Sequence, residues 1–251
     1  AMMFSGVKDE RVALNEDTLW SGYPRSKNNP DAHKYYAEAQ RLAAEGRLKE
    51  AQTLIEDHME GEFSECYLPM GDMYIQHDID GDVQNYTRLL DMRSGLNICE
   101  FDAGDAHFKR TSFISYPDQV MVMFIESSKP GSVNFSAQFE SQLRSDIIAE
   151  GSAICADLRA PSCAKPVYVD EKDAVTYSDD PEKMGIRCRA IISASADGGN
   201  ISSADGRINV RGADSAMIII AARTSFNGAD KSPEIEGRDE KADVARDLDA
   251  I

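Results

Sequence analysis

Gln119-Val120-Met121-Val122-Met123-Phe124-Ile125-Glu126, then Ser127-Ser128-Lys129-Pro130-Gly131-Ser132, then Val133-Asn134-Phe135-Ser136-Ala137-Gln138-Phe139 is the stretch that decides the fold. Val133, Phe135, Ala137 and Phe139 alternate with polar residues, the period-two pattern of a half-buried strand. Val120–Ile125 is apolar throughout, as is Met217–Ala222, which predicts strands covered on both faces. Lys129-Pro130-Gly131 supplies the turn between the first two.

The same grammar extends in both directions. Strands are expected at 72–79, 86–100, 107–115, 119–127, 132–141 and 146–158, and later at 174–177, 185–196, 199–203, 207–211 and 215–222. Asp80-Gly81-Asp82, Ala103-Gly104-Asp105, Asp197-Gly198-Gly199 and Asp205-Gly206 punctuate them. Many short strands joined by tight turns imply a mainly β fold of antiparallel sheets packed as a sandwich.

The first 60 residues read differently. Val7–Leu14 is strand-like around a polar turn at Lys8-Asp9-Glu10, and Asn15–Pro24 is a loop holding the single Trp, Trp20. Asn28-Asn29-Pro30-Asp31 offers a helix start. Tyr35, Ala39, Leu42 and Ala43 share one helical face, Gly46 ends that helix, and Leu48, Ala51, Leu54, Ile55, His58 and Met59 mark a second. This helical hairpin, about residues 30–60, resembles one tetratricopeptide unit; a lone copy has no neighbour to stack on, which argues against a repeat array. The tail 228–251 is charged, weakly helical from about Glu240, and reads as a linker.

Composition narrows the function classes. Forty-four acidic residues against 27 basic give a formal charge of −17, which argues against a sequence-independent grip on nucleic acid. No run of about 18 apolar residues exists, so no membrane-spanning helix is expected. Ala1–Gly6 has neither the basic nor the apolar region of a signal peptide. Cys66, Cys99, Cys155, Cys163 and Cys188 are odd in number and widely spaced, without a C-x-x-C pair. Free thiols are the simplest reading, with a Cys155–Cys163 bridge the alternative, and free thiols lean towards a cytoplasmic rather than a secreted protein.

Several segments resemble a known family. Asn15-Glu16-Asp17-Thr18-Leu19-Trp20-Ser21-Gly22, with Pro24-Arg25 and Asn28-Asn29-Pro30, is similar to the opening signature of glycoside hydrolase family 95, the α-L-fucosidases, and a bacterial member is expected. Leu68–Tyr74, Tyr86–Asp91, Ser115–Val120, Lys129–Ser132, Gly212–Ala216 and Thr224–Phe226 fit in order, so the likeness runs from about Ala1 to Phe226. It implies an N-terminal β super-sandwich with an inserted helical hairpin (residues 1–227), followed from 228 by the start of a linker to an (α/α)6 catalytic barrel. It also implies inverting hydrolysis of terminal α-linked L-fucose, or L-galactose in some members, by carboxyl groups in that barrel. Members carry a strand and a Gly-rich segment ahead of the residues matching Ala1–Phe4. Nothing here matches the barrel, so no catalytic residue is carried over. The barrel is the expected partner, with fucosylated glycans as substrates of the whole enzyme.

The residues themselves suggest no independent chemistry. Inverting hydrolysis needs two carboxyl groups about 6.5–9.5 Å apart; Glu16, Asp17, Asp72 and Asp118 are available, and sequence pairs no two of them. Turn capping accounts for Asp17 and Asp118 more simply. His77–Asp82 hints at a calcium loop, but Val83 and Leu89 stand where an EF-hand wants Gly and Glu, and a hairpin turn fits better. His33, His58, His77 and His107 lack metal spacing, and there is no G-x-S-x-G elbow. No metal or cofactor is expected. The tripeptides starting at Asn85, Asn134 and Asn200 fit glycosylation sequons. Trp20 stands out, as an anchor within its own domain, a domain-interface residue or a sugar contact; Asn15 and Arg25 accompany it as domain-interface or substrate-mouth candidates. The leading expectation is a non-catalytic accessory domain with a bare apolar patch for the barrel. A stand-alone carbohydrate-binding module is the alternative.

Overall fold

In the computed structural model, which describes residues 1–169 and 172–251, the alternation around Phe135 is realised: Val133, Phe135, Ala137 and Phe139 are buried, and the residues between them are half-buried. The chain opens with β1 (Met2–Met3) and β2 (Asp9–Leu14), then a hairpin of α1 (Tyr36–Ala44) and α2 (Leu48–His58). Next come β3 (Gly71–His77), β4 (Val83–Asp91), β5 (Leu96–Ala103), β6 (Ala106–Ser115), β7 (Val120–Ser127), β8 (Val133–Glu140), β9 (Arg144–Glu150) and β10 (Ala153–Arg159). A small ladder of β11 (Cys163–Ala164) and β12 (Val175–Thr176) precedes β13 (Arg187–Asp197), β14 (Asn200–Ala204), β15 (Arg207–Ala213), β16 (Ser215–Thr224) and a final helix α3 (Glu240–Asp249).

Two antiparallel sheets carry the core. One has six strands in the order β1-β2-β3-β8-β15-β14, the other eight in the order β4-β5-β6-β7-β16-β13-β10-β9. Between them lie Val12, Met73, Ile75, Phe135 and Ile208 from the first, against Met123, Ile125, Ile154, Ile192 and Ile218 from the second. Each large side chain fully buried this way contributes about 1.5–3 kcal/mol. The fold is the mainly β sandwich that the pattern predicts.

Three expectations are corrected. Residues 86–100 are not one strand but the end of β4, a turn and the start of β5: Asp91 accepts from the Arg93 amide (3.0 Å) and the Ser94 hydroxyl (2.7 Å), and Gly95 takes φ +71°. Residues 146–158 divide likewise at Gly151, with φ +60°. Asp78–Asp82 is not a hairpin turn, because it carries the chain from β3 in one sheet to β4 in the other. In the first two cases a turn with a left-handed glycine interrupts a run whose apolar residues continue on both sides.

The apolar strands β7 and β16 are covered only in part on their second face. Val120 and Ala221 are buried under Val244 of α3, with Leu248 beside it, while Phe124 remains 36% exposed. At the outer edge, β4 carries a bulge: Asn85 and Tyr86 stand opposite a single residue of β5, and Asn85 has φ +52°. The helical hairpin forms where expected. The expected Asn cap is not formed: the first turn is a tight Ala32–Lys34 one whose N-terminal flank is Asp31 without a side-chain cap. Asn29 only accepts from the Asp31 amide (2.9 Å) in the turn before it, and Gly46 ends α1 with φ +75°. The hairpin packs chiefly on itself, burying Ala39, Leu42 and Ala51.

The tail lies on the eight-stranded sheet. Asp239 caps α3, accepting from the Ala242 amide (3.0 Å), and Arg223 forms a forked pair with Asp247 (2.6 and 3.2 Å). Arg187 joins Glu234 (2.8 Å) and Glu240 (3.0 Å). Charge thus anchors a helix whose apolar contribution is mainly Val244.

Candidate functional site

The loop after β2 is fixed by its one fully buried residue. Leu19 plugs the core with no exposed surface, and its carbonyl accepts from the Leu68 amide (3.1 Å). Ser21 donates its amide to the Cys66 carbonyl, and Gly22 to that of Pro161, both at 2.9 Å. With backbone anchors on either side, Trp20 has one place to go. It projects outward, 42% exposed, with its indole N–H on the Asp17 carbonyl (3.1 Å) and its ring 5.2 Å from that of Tyr67.

Ahead of Trp20, Thr18 donates its amide (2.7 Å) and hydroxyl (2.8 Å) to the Glu16 carboxylate, and its hydroxyl also meets that of Thr224. Burial pushes the Glu16 carboxyl above its ordinary range and the neighbouring Asp17 charge adds to the rise, against the pull of the Thr18 bonds. After Trp20, Glu65 lies beneath Gly22: its carboxylate accepts from Ser21 Oγ (2.8 Å) and pairs with Lys27 Nζ (2.6 Å). A Cβ on Gly22 would sit 2.0 Å from that carboxyl group. Arg25 lies over the Tyr23 ring at 4.7 Å and reaches Glu62 at 3.3 Å.

Two recesses flank this loop. Asn15, Glu16 and Asp17 border one of about 300 Å³ with Tyr116, Ile114 and Arg223. Asp17, Trp20, Tyr23, Glu65 and Phe226 border another of about 270 Å³. Asn15 and Trp20 therefore face different hollows that share Asp17, and Arg25 supports the second from behind through Tyr23. Sequence reasoning missed Glu65, Tyr67 and Phe226 as neighbours of Trp20, since no local spacing joins residues 45 to 206 positions apart. Among the described residues, no group of three or more His, Cys, Asp or Glu is arranged to hold a metal ion. All five cysteines are free, and no helix among the described residues is long and apolar enough to cross a membrane.

A family model described as "Glycosyl hydrolase family 65, N-terminal domain" matches residues 1–229. Alpha-L-fucosidase 2 of Arabidopsis thaliana is 30% identical over 254 residues, an alignment covering 98% of this chain and 30% of that protein. The chain thus spans under a third of the curated relative it matches. A solved structure, a putative kojibiose phosphorylase from human microbiome, aligns with a TM-score of 0.43 and 10% identity over 74% of this chain and 26% of the other.

Proposed function

The chain belongs to the glycosyl hydrolase family 65 N-terminal domain family, and from that premise we propose that it is a non-catalytic accessory domain of an α-L-fucosidase-like glycoside hydrolase. Its role is to dock on a catalytic barrel of the same polypeptide and stabilise it. The observation that carries this reading is the bare outer face of the eight-stranded sheet. Leu89, Ile98, Thr111, Phe124 and Met217 are successive cross-strand neighbours on that face; in the next row Phe113 is open, while Val122 and Ile219 are half-buried against the cluster under α3.

Leu89 is 57% exposed and Phe113 37%. Soluble monomers rarely leave contiguous apolar patches larger than a few hundred Å² without a use for them. α3 covers the neighbouring part of the same face by placing Val244 on Val120 and Ala221, which is how a further helical layer would sit. On this reading residues 228–251 begin the linker to the barrel. Asn15, Trp20 and Arg25 then lie at the domain interface or the substrate mouth, and fucosylated glycans are substrates of the whole enzyme.

The test is fucose release from a 2′-fucosylated oligosaccharide by this chain alone and by a polypeptide extended through the downstream gene. Activity confined to the longer form is the expected result. Release by the short chain would place catalytic carboxyl groups within these 251 residues and overturn the accessory reading.

A further inference from the structure

We propose that the recess beside Trp20 is a sugar subsite that takes one pyranose ring, apolar face against the indole. This deepens the substrate-mouth reading and rests on it only for the choice of fucose as lead sugar. A pyranose presents a sheet of C–H groups on one side and a rim of hydroxyls. A matching site needs a fixed aromatic surface, apolar walls and a few acceptors at the edge.

The recess has each. Trp20 is exposed yet held, by its N–H on Asp17 and by the Tyr67 ring, so little rotamer freedom is lost on stacking. Tyr23, Pro24, Phe226 and Pro233 supply walls. Asp17, Glu65 and Lys231 supply polar groups, and the Glu65 carboxylate is pinned in place by the buried Ser21 and by Lys27. Gly22 keeps the entrance clear where any side chain would strike that carboxylate. The volume, about 270 Å³, falls just below the roughly 300–1,000 Å³ of drug-sized sites and suits a single ring. Larger hollows on the helical hairpin and beside Arg187 are bordered mainly by charged residues, among them Glu38, Arg47 and Asp57 in the first and Arg144, Asp157 and Lys241 in the second. Neither is bordered by Trp, Tyr or Phe.

Trp20 is the chain's single tryptophan, so its emission reports on this recess alone. The full chain is titrated with methyl α-L-fucopyranoside, methyl α-D-glucopyranoside and, as an apolar control of similar girth, cyclohexanol. A saturable emission change with at least one glycoside in the millimolar range, weakened about tenfold in Phe226→Ala, supports the subsite. Circular dichroism and thermal melting verify that the variant is folded, and Glu65→Gln is a second variant expected to weaken the same titration. No saturable change with either glycoside overturns the proposal. So does an unchanged titration in both variants, or cyclohexanol binding as tightly as the sugars, which would make the recess a socket for an apolar side chain. None of these outcomes bears on docking, which is read by fucose release from the longer polypeptide.

Discussion

Arg110 and Glu10 meet across the two sheets at 3.3 Å, with side chains only 3% and 1% exposed. Arg110 also donates to His77 Nε2 (3.2 Å) and the Gly6 carbonyl, while Glu10 accepts from the amides of Phe4 (3.1 Å) and Ser5 (2.9 Å). Burial pushes the Glu10 carboxyl above its ordinary range, against the pull of Arg110. The pair therefore fixes geometry more than it adds stability, since desolvation offsets much of the attraction. Arg110→Met, which strands a buried carboxylate, is expected to lower unfolding free energy by about 3–5 kcal/mol in urea titration. Arg110→Met with Glu10→Leu should recover most of that loss; a double variant no better than the single would show the ion pair to be net stabilising.

His77 adds a pH dependence. Burial, then the Arg110 charge, holds its pKa down at about 3, and a neutral ring is what an arginine donor on Nε2 requires. A depressed pKa contributes stability that is fully present above the unfolded value of 6.5 and is lost as pH falls towards 3. The expected slope is up to about 1.4 kcal/mol per pH unit in that window. Glu10, with its raised pKa, has the opposite sign: its contribution is present in acid and lost as pH rises through its folded value. His77→Gln should flatten the slope between pH 6.5 and 4.5, measured by urea unfolding at a series of pH values.

Gly22 and Gly46 both adopt left-handed backbone, φ +96° and +75°, yet their surroundings differ. A methyl group at position 46 meets nothing within 4 Å, and at position 22 it collides with Glu65. Gly46→Ala is expected to cost about 1 kcal/mol, the penalty of the backbone conformation alone. Gly22→Ala should cost more and shift Trp20 emission, because Glu65 or the loop must move. Equal thermal shifts for the two variants would count against this account of the loop.

The helix on the sheet gives another contrast. Val244 has no exposed surface, so Val244→Ala should cost about 2 kcal/mol and speed amide exchange in α3 before the sandwich itself opens. Leu89→Glu on the exposed face should change stability by less than about 0.5 kcal/mol while weakening association with the proposed catalytic barrel, measured by calorimetry.

How much of this was legible depends on range. The alternation at Val133–Phe139 and the unbroken runs at Val120–Ile125 and Met217–Ala222 are local patterns, and they yielded the sandwich. The resemblance carried by Asn15–Gly22 is borne out by the α-L-fucosidase relative, though the matching family model bears the number 65 rather than 95. Glu10 was read as part of a turn. Its true place, buried within β2, depends on Arg110 a hundred residues away. Phe226 joins Trp20 only because β16 ends beside the loop after β2. Apolar strands were expected to be covered twice, and Phe124 is not, because a pattern records which faces can be buried without saying what covers them.

The bulge in β4 has a consequence for the molecule's behaviour in crowded solution. An edge strand offers a row of unmet amides and carbonyls on which another chain can extend the sheet. Asn85 and Tyr86 break that row, and the Asn85 side chain turns back to Asp102 (2.6 Å) while Tyr86 donates its hydroxyl to the Ser5 carbonyl (2.8 Å). The edge is twisted and tethered where an incoming strand would need it straight. Backbone shape therefore disfavours sheet extension at this part of the edge, even though the outer face beside it keeps exposed apolar side chains such as Leu89 and Phe124.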